Sequence, residues 1–440
     1  MLALALAGGA TPAAFGSVQS DPAPAAAAPG GAQRILSLFA RQRTGELDDQ
    51  LLRHDLDELG VSAVGGVFAV LSGIGLPVEG GEPMRLTRGE EAVLLEVMRG
   101  WPDHAVLTGI RAALPEEPTL SQQLLAIRLT GETHSPDAMP TLVDLLGGLD
   151  REHLQTALAT TAARRAWAQV LDPRDRATMA SLKVRASKLD PLLLPGLVEA
   201  LKELESGATV SILSRLAGES LALDPLILDA LGSIPSWDEL VRDGSVQRLV
   251  RPHLDSANVE ARRHAALALG ALADAEAFPA LVTLTEDRDS RVRSAAQKAL
   301  QAVSGLRRAE ETDRWLSWYD REAAWRGRHA DMLLEDARRA EPAGAVKALR
   351  ELSAHPFYRD ELGAEIGRIV LARRSEESIV VAACGAIARL GGGAAVPALI
   401  ELLDSASELV RASALAALRA ATGESLADAE EWRELIAPWD

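Results

Sequence analysis

Histidine and cysteine are the residues of this 440-residue chain that would bind a transition metal or act as a catalytic base or nucleophile. The eight histidines are scattered along the sequence: His54, His104, His134, His153, His253, His264, His329 and His355. None lies in the His-Glu-x-x-His spacing that places two imidazoles on one helix face. The single cysteine, Cys384, lies in an Ala-rich helical segment, where burial keeps a thiol inert. We predict no metal site and no catalytic residue.

Carboxylate pairs and glycine-rich segments are the other features from which an active site could be built. Glu90-Glu91 and Glu430-Glu431 are adjacent, so the two carboxylates do not share a helix face, and we expect both pairs at a solvated surface. Gly73-Ile74-Gly75 lacks the third glycine of a dinucleotide-binding loop and the lysine of a phosphate loop. We therefore predict a protein that is not an enzyme and holds no cofactor.

Two arginines, Arg293 and Arg411, follow turns that contain aspartate: Asp287 and Asp289 in one case, Asp404 in the other. These arginines could bind an anion on an exposed face. They could also form a structural ladder in which each guanidinium pairs with a turn carboxylate and caps exposed carbonyls. We favour the ladder, because an arginine beside a carboxylate is a common bidentate fastener.

Eight tryptophans stand out in a chain with only 3% aromatic residues. Trp315, Trp318, Tyr319 and Trp325 are clustered at helical spacing. Aromatic residues at this density can anchor a binding partner. They can also fill the apolar gap where an array of helices ends or changes direction, and we favour this packing role.

The composition indicates how such side chains are positioned. The apolar residues are mostly Ala, Leu and Val, and Ala and Leu are the strongest helix formers. Small side chains also let neighbouring helices approach closely. The 46 basic and 63 acidic residues give a formal net charge of −17, which repels a phosphate backbone. We expect layered helices and no nucleic-acid partner.

An internal duplication specifies the architecture. Residues 259–305 align with residues 377–423 at a constant offset of 118, and 15 of 47 positions are identical, most of them apolar or turn residues. Pro397 lies in the first turn of one helix, and Gly423 lies where a C-terminal cap needs positive φ. Each copy reads as two helices joined by a tight turn. Such units bury their apolar faces only against neighbours, so the sequence predicts an all-α fold, an α-solenoid or superhelix of stacked helical pairs.

The last copy carries a family resemblance. Ala-Val-Pro-Ala-Leu-Ile-Glu-Leu-Leu-Asp (395–404) and Leu-Val-Arg-Ala-Ser-Ala-Leu-Ala-Ala-Leu (409–418) resemble HEAT repeats of the phycobilisome-lyase HEAT-like type. The similarity is strong over 256–305 and 376–423 and weaker upstream. The resemblance implies an armadillo-like helical scaffold and no lyase activity.

The N-terminal part raises the questions of export and membrane insertion. Residues 1–32 are Ala/Pro-rich and resemble the end of a secretory signal peptide with a linker, but the basic n-region is missing. We expect a disordered segment there, and localisation stays open between export to the cell envelope and the cytoplasm. The uncharged stretch Val61 to Pro77 is short and interrupted by glycine, so we expect a buried helix and no membrane span. Residues 33–320 are then an N-terminal repeat solenoid, and residues 321–440 are C-terminal HEAT-like repeats, with a hinge at 306–335 as one option.

These observations favour a noncatalytic scaffold or adaptor whose second helices line a concave, acidic face that binds a protein or peptide. A lyase- or chaperone-like protein that handles a small prosthetic group is one alternative. A DNA-binding HEAT protein, which would need a basic stripe on the same face, is another.

Overall fold

The structure, a computed structural model, describes residues 29–72, 76–77, 83–306 and 311–436. The described residues form an all-α fold of stacked helical pairs, an α-solenoid, as the sequence predicts. The exception is a two-residue antiparallel ribbon of β1 (Leu76–Pro77) and β2 (Pro83–Met84). Most of the N-terminal segment predicted to be disordered, and Gly73-Ile74-Gly75, lie outside the described residues.

Contacts divide the chain into two compact units, residues 1–126 and 127–440. The domain boundary predicted at residues 320 and 321 stays a prediction. Six helices belong to the first unit or begin in it: α1 (Pro29–Arg43), α2 (Asp49–Leu59), α3 (Val64–Leu71), α4 (Arg88–Met98), α5 (Asp103–Ala113) and α6 (Leu120–Glu132).

Residues 64–71 of the uncharged stretch form the buried helix α3, which packs against α1 and α5. A Cβ on Gly66 would lie 2.7 Å from the backbone carbonyl carbon of Gly31, so only glycine permits this approach of α3 to α1. Among the described residues, no helix combines the length and apolar character that a membrane crossing requires.

The second unit contains the duplicated repeats. Its helices are α7 (Met139–Gly147), α8 (Arg151–Leu154), α9 (Ala157–Val170), α10 (Arg176–Arg185), α11 (Leu194–Glu203), α12 (Val210–Leu216), α13 (Asp224–Gly232), α14 (Glu239–Arg242), α15 (Ser245–Val250), α16 (Val259–Ala271), α17 (Phe278–Leu284), α18 (Ser290–Ser304), α19 (Thr312–Trp325), α20 (Asp331–Arg339), α21 (Pro342–Leu352), α22 (Arg359–Ala372), α23 (Glu377–Leu390), α24 (Val396–Leu402), α25 (Glu408–Thr422) and α26 (Ala429–Ile436). A π-helical turn, Arg326–Ala330, joins α19 to α20.

The helix ends follow the duplication. Asp289 and Ser407 occupy equivalent positions, and each side chain caps the N-terminus of its helix, α18 or α25. Gly305 and Gly423 end the same two helices with φ of 73° and 80°, a left-handed conformation that glycine adopts without a steric penalty. The predicted helix, tight turn and helix are therefore present in both copies.

Helices α9, α11, α13, α16 and α18 pack in succession and form what we call the second-helix row. Small residues set its spacing. A Cβ on Gly232 would lie 2.8 Å from the Cα of Ala268, and one on Gly270 would lie 2.7 Å from the Cα of Ala299. Helices α21, α23 and α25 form a similar stack in the C-terminal part.

One contact joins distant parts of the second unit. Trp237, in the segment before α14, packs against the apolar core of the C-terminal helices. Gly393, just before α24, faces the backbone at Ser236 so closely that a Cβ there would lie 2.2 Å from the Ser236 carbonyl. The segment at 235–242 and the C-terminal repeats are thus in direct backbone contact.

Candidate functional site: the second-helix row

Oppositely charged side chains cross from helix to helix along the second-helix row. Arg164 of α9 lies 3.6 Å from Glu199 and 3.7 Å from Glu203, both of α11. Lys202 of α11 pairs with Asp229 of α13. These side chains are about half exposed, so water screens the pairs and each adds little to stability. They nevertheless form a continuous polar surface that a partner could contact.

The series of ion pairs along the row continues onto α16 and α18 through one shared carboxylate. Glu260 accepts hydrogen bonds from Arg263 at 2.8 Å and from Arg291 at 2.5 Å. Arg291 also pairs with Asp289, the N-cap residue of α18. The two guanidinium groups lower the pKa of Glu260 below its ordinary value, because they stabilise its charged form. Glu260 therefore holds two arginines on the exposed side of the row.

His264 lies between the ion pairs of α11 and α13 and those of α16 and α18. Its Nε2 is 2.6 Å from a nitrogen of Arg263, which can only donate, so Nε2 must accept and the ring is neutral with its proton on Nδ1. The Nδ1 atom lies 3.9 Å from Asp229. Burial lowers the pKa of His264, and the Arg263 charge lowers it further, against the opposing effect of Asp229. The neutral state that the geometry requires is thus also the state that the electrostatics favour.

Two shallow grooves lie on this row. The first, of about 450 Å³, includes the apolar residues Val198 and Leu226 in its lining, and we call it the α11–α13 groove. Its charged lining residues are Arg164, Glu199, Lys202, Glu203, Glu205 and Asp229. The second, of about 270 Å³, is the α16–α18 groove; it is lined by Arg263, Leu267, Ser290, Arg291, Ser294, Ala295 and Lys298. Both volumes suit a few side chains of a partner.

The row is not uniformly acidic, which corrects the expected character of the face. The α11–α13 groove has four carboxylates and two cations in its lining, whereas the lining of the α16–α18 groove has three cations and no carboxylate. The net charge of −17 averages over the entire sequence and does not report how helix stacking sorts the charges.

The ladder predicted for Arg293 and Arg411 is correct in one part and wrong in the other. Arg293 donates to the carbonyls of residues 287 and 288, and Arg411 donates to those of Ser405 and Ala406, so both cap exposed carbonyls. The partner of the Asp287 carboxylate is Arg262 of α16, at 2.9 Å.

Asp404 likewise pairs with Arg433 of α26. Asp287 and Asp404 therefore bond to arginines of neighbouring helices, because stacking brings the adjacent helix to each turn and the arginine that follows the turn is already bonded to carbonyls. The third turn carboxylate, Asp289, pairs with Arg291 of its own helix.

The clustered aromatic residues pack against one another. Trp315 is fully buried, donates to the side-chain oxygen of Gln297 at 3.1 Å and meets Phe278 edge-on. Tyr319 stacks on the same phenylalanine at 5.3 Å, and Phe357 meets Trp318 edge-on at 5.2 Å. The rings thus fill the space between α17, α19 and the turn before α22.

Cys384 and the side chains that could bind a metal are the remaining candidates for chemistry. Cys384 is 1% exposed, and burial raises the pKa of its thiol to about 12. Within the part of the chain that the structure describes, no three His, Cys, Asp or Glu residues come together as metal ligands would.

Glu90 corrects the expectation of a solvated pair. Its carboxylate accepts two hydrogen bonds from Arg43, at 2.6 and 2.7 Å, and forms a capping box with Thr87. Its role is to join α1 to the start of α4, in the first unit.

A further cavity lies elsewhere in the second unit. It has a volume of about 670 Å³ and is lined by Arg174, Arg176, Leu204, Glu205, Gly207, Ala208, Pro235, Trp237, Asp238, Glu239, Leu240, Arg242, Glu424, Leu435 and Ile436. Asp238 shapes its wall by accepting from the Gly207 amide at 2.7 Å. No signal in the sequence indicated this cavity, because its lining comes from four separated segments.

Comparison with known proteins agrees with the repeat architecture. Residues 246–330 match the family model described as HEAT repeats, and this range spans the first of the two duplicated segments and Trp315 to Trp325. No match distinguishes the phycobilisome-lyase-like subtype. No curated protein matches the sequence.

Among solved structures, the chain is similar to an engineered protein at 19% identity, with a TM-score of 0.32, over 89% of this chain and 98% of that one. It is also similar to the karyopherin Kap121p bound to the extreme C-terminus of the protein phosphatase Cdc14p, at 9% identity and a TM-score of 0.37. That second alignment covers 89% of this chain and 49% of the karyopherin, so the chain spans about half of that protein's length.

Proposed function

We propose that this protein is a noncatalytic HEAT-repeat scaffold that binds a protein or peptide partner along the second-helix row. The observation that carries the proposal is the continuous charged surface from Arg164 to Arg291, in which two grooves lie side by side on successive helices. A surface of this kind offers a row of side-chain subsites to an extended segment or a helix.

The chemistry of the row supports binding over catalysis. Its carboxylates and guanidinium groups pair with each other, and its histidine is held neutral by Arg263. A general base or nucleophile requires an activating partner and a site that excludes water. The grooves instead open to solvent, where paired charges and hydroxyl groups can exchange water for a partner's polar groups.

A bulky substitution in the row tests the proposal. Ser294 is exposed in the α16–α18 groove, and Ser317 is exposed on α19, outside the row. We expect affinity capture from the native source to recover the same specific proteins with wild type and Ser317→Trp, and to lose them with Ser294→Trp. Capture that is identical for the two variants, or that recovers no specific protein with wild type, would contradict the proposal.

The cavity at Trp237 favours one second candidate, a protein that handles a small prosthetic group. Its volume of about 670 Å³ is in the range of small-molecule sites, and it combines apolar residues with arginines and carboxylates. This function predicts absorbance beyond the tryptophan band in protein purified from its native source. Trp237→Ala should remove that absorbance, whereas a colourless native protein would argue against this candidate.

A further inference from the structure

We infer that the α16–α18 groove binds an acidic segment of the partner protein, so that the scaffold recognises carboxylates at this point of the second-helix row. The inference rests on the proposed function and specifies the chemistry of the partner. The inference applies only to the α16–α18 groove and predicts that the α11–α13 groove prefers basic side chains.

The charges that line the groove are the first argument. Arg263, Arg291 and Lys298 contribute three cations to the lining, which contains no carboxylate. Beside the groove, Glu260 pairs with both arginines and Asp289 pairs with Arg291, so Lys298, which is exposed, is the cation of the lining without an ion-pair partner among the described residues. The chain has a net charge of −17, so its average field is negative, and the unpaired ammonium group of Lys298 makes the field positive locally in this groove.

The second argument is that the arginines are held in place before a partner arrives. Glu260 accepts from both Arg263 and Arg291 from beside the groove, so the structure holds the two guanidinium groups at its edge. Ordering in the free protein reduces the conformational entropy that binding would otherwise cost. The exposed hydroxyl groups of Ser290 and Ser294 add donors for carboxylate oxygens.

The neighbouring α11–α13 groove limits the length of the anionic segment. Its lining has four carboxylates, Glu199, Glu203, Glu205 and Asp229, which repel a further negative charge. A nucleic acid carries closely spaced phosphates along its whole length and would extend past one groove into this acidic region. A short run of aspartate or glutamate fits the observed alternation of charge better than a long polyanion.

A fluorescein-labelled octaglutamate peptide is the probe that tests this inference, with binding followed by fluorescence anisotropy. We expect wild type to bind it at low ionic strength and more weakly at 0.15 M salt, because exposed charges are screened over about 8 Å under that condition. Lys298→Glu should weaken binding about tenfold, the loss of one charge-assisted contact. Lys298→Gln should weaken it less.

Lys183→Glu is the matched control. Lys183 is exposed on α10, outside the row, and its replacement changes the net charge by the same amount. Equal weakening by the two charge reversals, or no binding to wild type, would overturn the inference. A labelled oligothymidylate of equal charge that binds more tightly than octaglutamate, with the same dependence on Lys298, would overturn it in favour of nucleic acid.

The octaglutamate test of this inference and the capture test of the proposed function can fail independently. If Ser294→Trp removes the captured partner while octaglutamate fails to bind, the scaffold function stands and the acidic chemistry is wrong. If octaglutamate binds through Lys298 while captured proteins are unaffected by Ser294→Trp, the groove binds anions and the proposed function is wrong.

Discussion

Replacement of Gly393 by alanine should loosen the contact between the segment at 235–242 and the C-terminal repeats. The added Cβ would lie 2.2 Å from the carbonyl group of Ser236 and 2.4 Å from the amide nitrogen of Trp237. Both neighbours are backbone atoms, so no side-chain rotation relieves the overlap and the two segments must separate. Forcing an extra carbon into a packed interior costs about 1–3 kcal/mol.

Glycine-to-alanine replacements also restrict the unfolded chain, which stabilises a protein by about 0.4–1 kcal/mol when the native site accepts the methyl group. Gly385→Ala is therefore the matched control. Gly385 lies within α23, and the nearest atom to its added Cβ is the end of the Arg389 side chain at 3.9 Å. We expect Gly385→Ala to stabilise the protein by up to about 1 kcal/mol, because alanine is the better helix former.

Hydrogen exchange followed by mass spectrometry distinguishes the destabilisation expected in Gly393→Ala from the stabilisation expected in Gly385→Ala. In Gly393→Ala, peptides that cover 235–242 and 393–400 should lose protection, by about tenfold for each 1.4 kcal/mol of local destabilisation. In Gly385→Ala the same peptides should keep or gain protection. If Gly393→Ala is as protected as Gly385→Ala, the close backbone approach does not exist in solution and the reasoning is refuted.

Three further predictions concern single side chains in the second unit. Arg262→Gln should lower the free energy of unfolding by about 2 kcal/mol, because Arg262 bonds to the nearly buried Asp287 carboxylate and to two carbonyls. Denaturant titrations at pH 7 measure this change, and equal midpoints for variant and wild type would contradict the prediction. The pKa of Asp287 is lowered by Arg262, so this stabilisation is present above the ordinary aspartate pKa and declines as the pH falls toward the folded-state value, which the same titrations at pH 3 and pH 7 measure. The pKa of His264 is lowered by burial and by Arg263, so an NMR titration should place this pKa below 6.5, and Arg263→Gln should raise it. Because the folded-state pKa is lower than the unfolded-state pKa, the stability of the protein decreases as the pH falls below 6.5. Cys384, with its pKa raised to about 12, should react with a thiol reagent at pH 8 only when the protein unfolds, and rapid labelling of the native protein would show that α23 is not packed as described.

The sequence predicted the helical repeats correctly because their determinants are local. An N-cap such as Asp289 or Ser407 satisfies amides within its own first turn, and Gly305 or Gly423 ends a helix through its own φ angle. The spacing of apolar residues likewise decides which side of each helix is buried, as for Cys384 and for Trp315. These features could be predicted without knowledge of any distant contact.

Only the tertiary structure decided which charged groups meet. Glu90 binds Arg43 from 47 residues away, and Asp287 pairs with Arg262 of the adjacent helix, although the arginine that follows its own turn is Arg293. The contact of Trp237 with the C-terminal core has the same origin. Helix periodicity specifies a buried face but not how far each pair rotates on the next, and that rotation determines the neighbours of every exposed side chain. The segregation of acidic and basic grooves along the second-helix row is a consequence of this stacking, and neither the composition nor the net charge contains it.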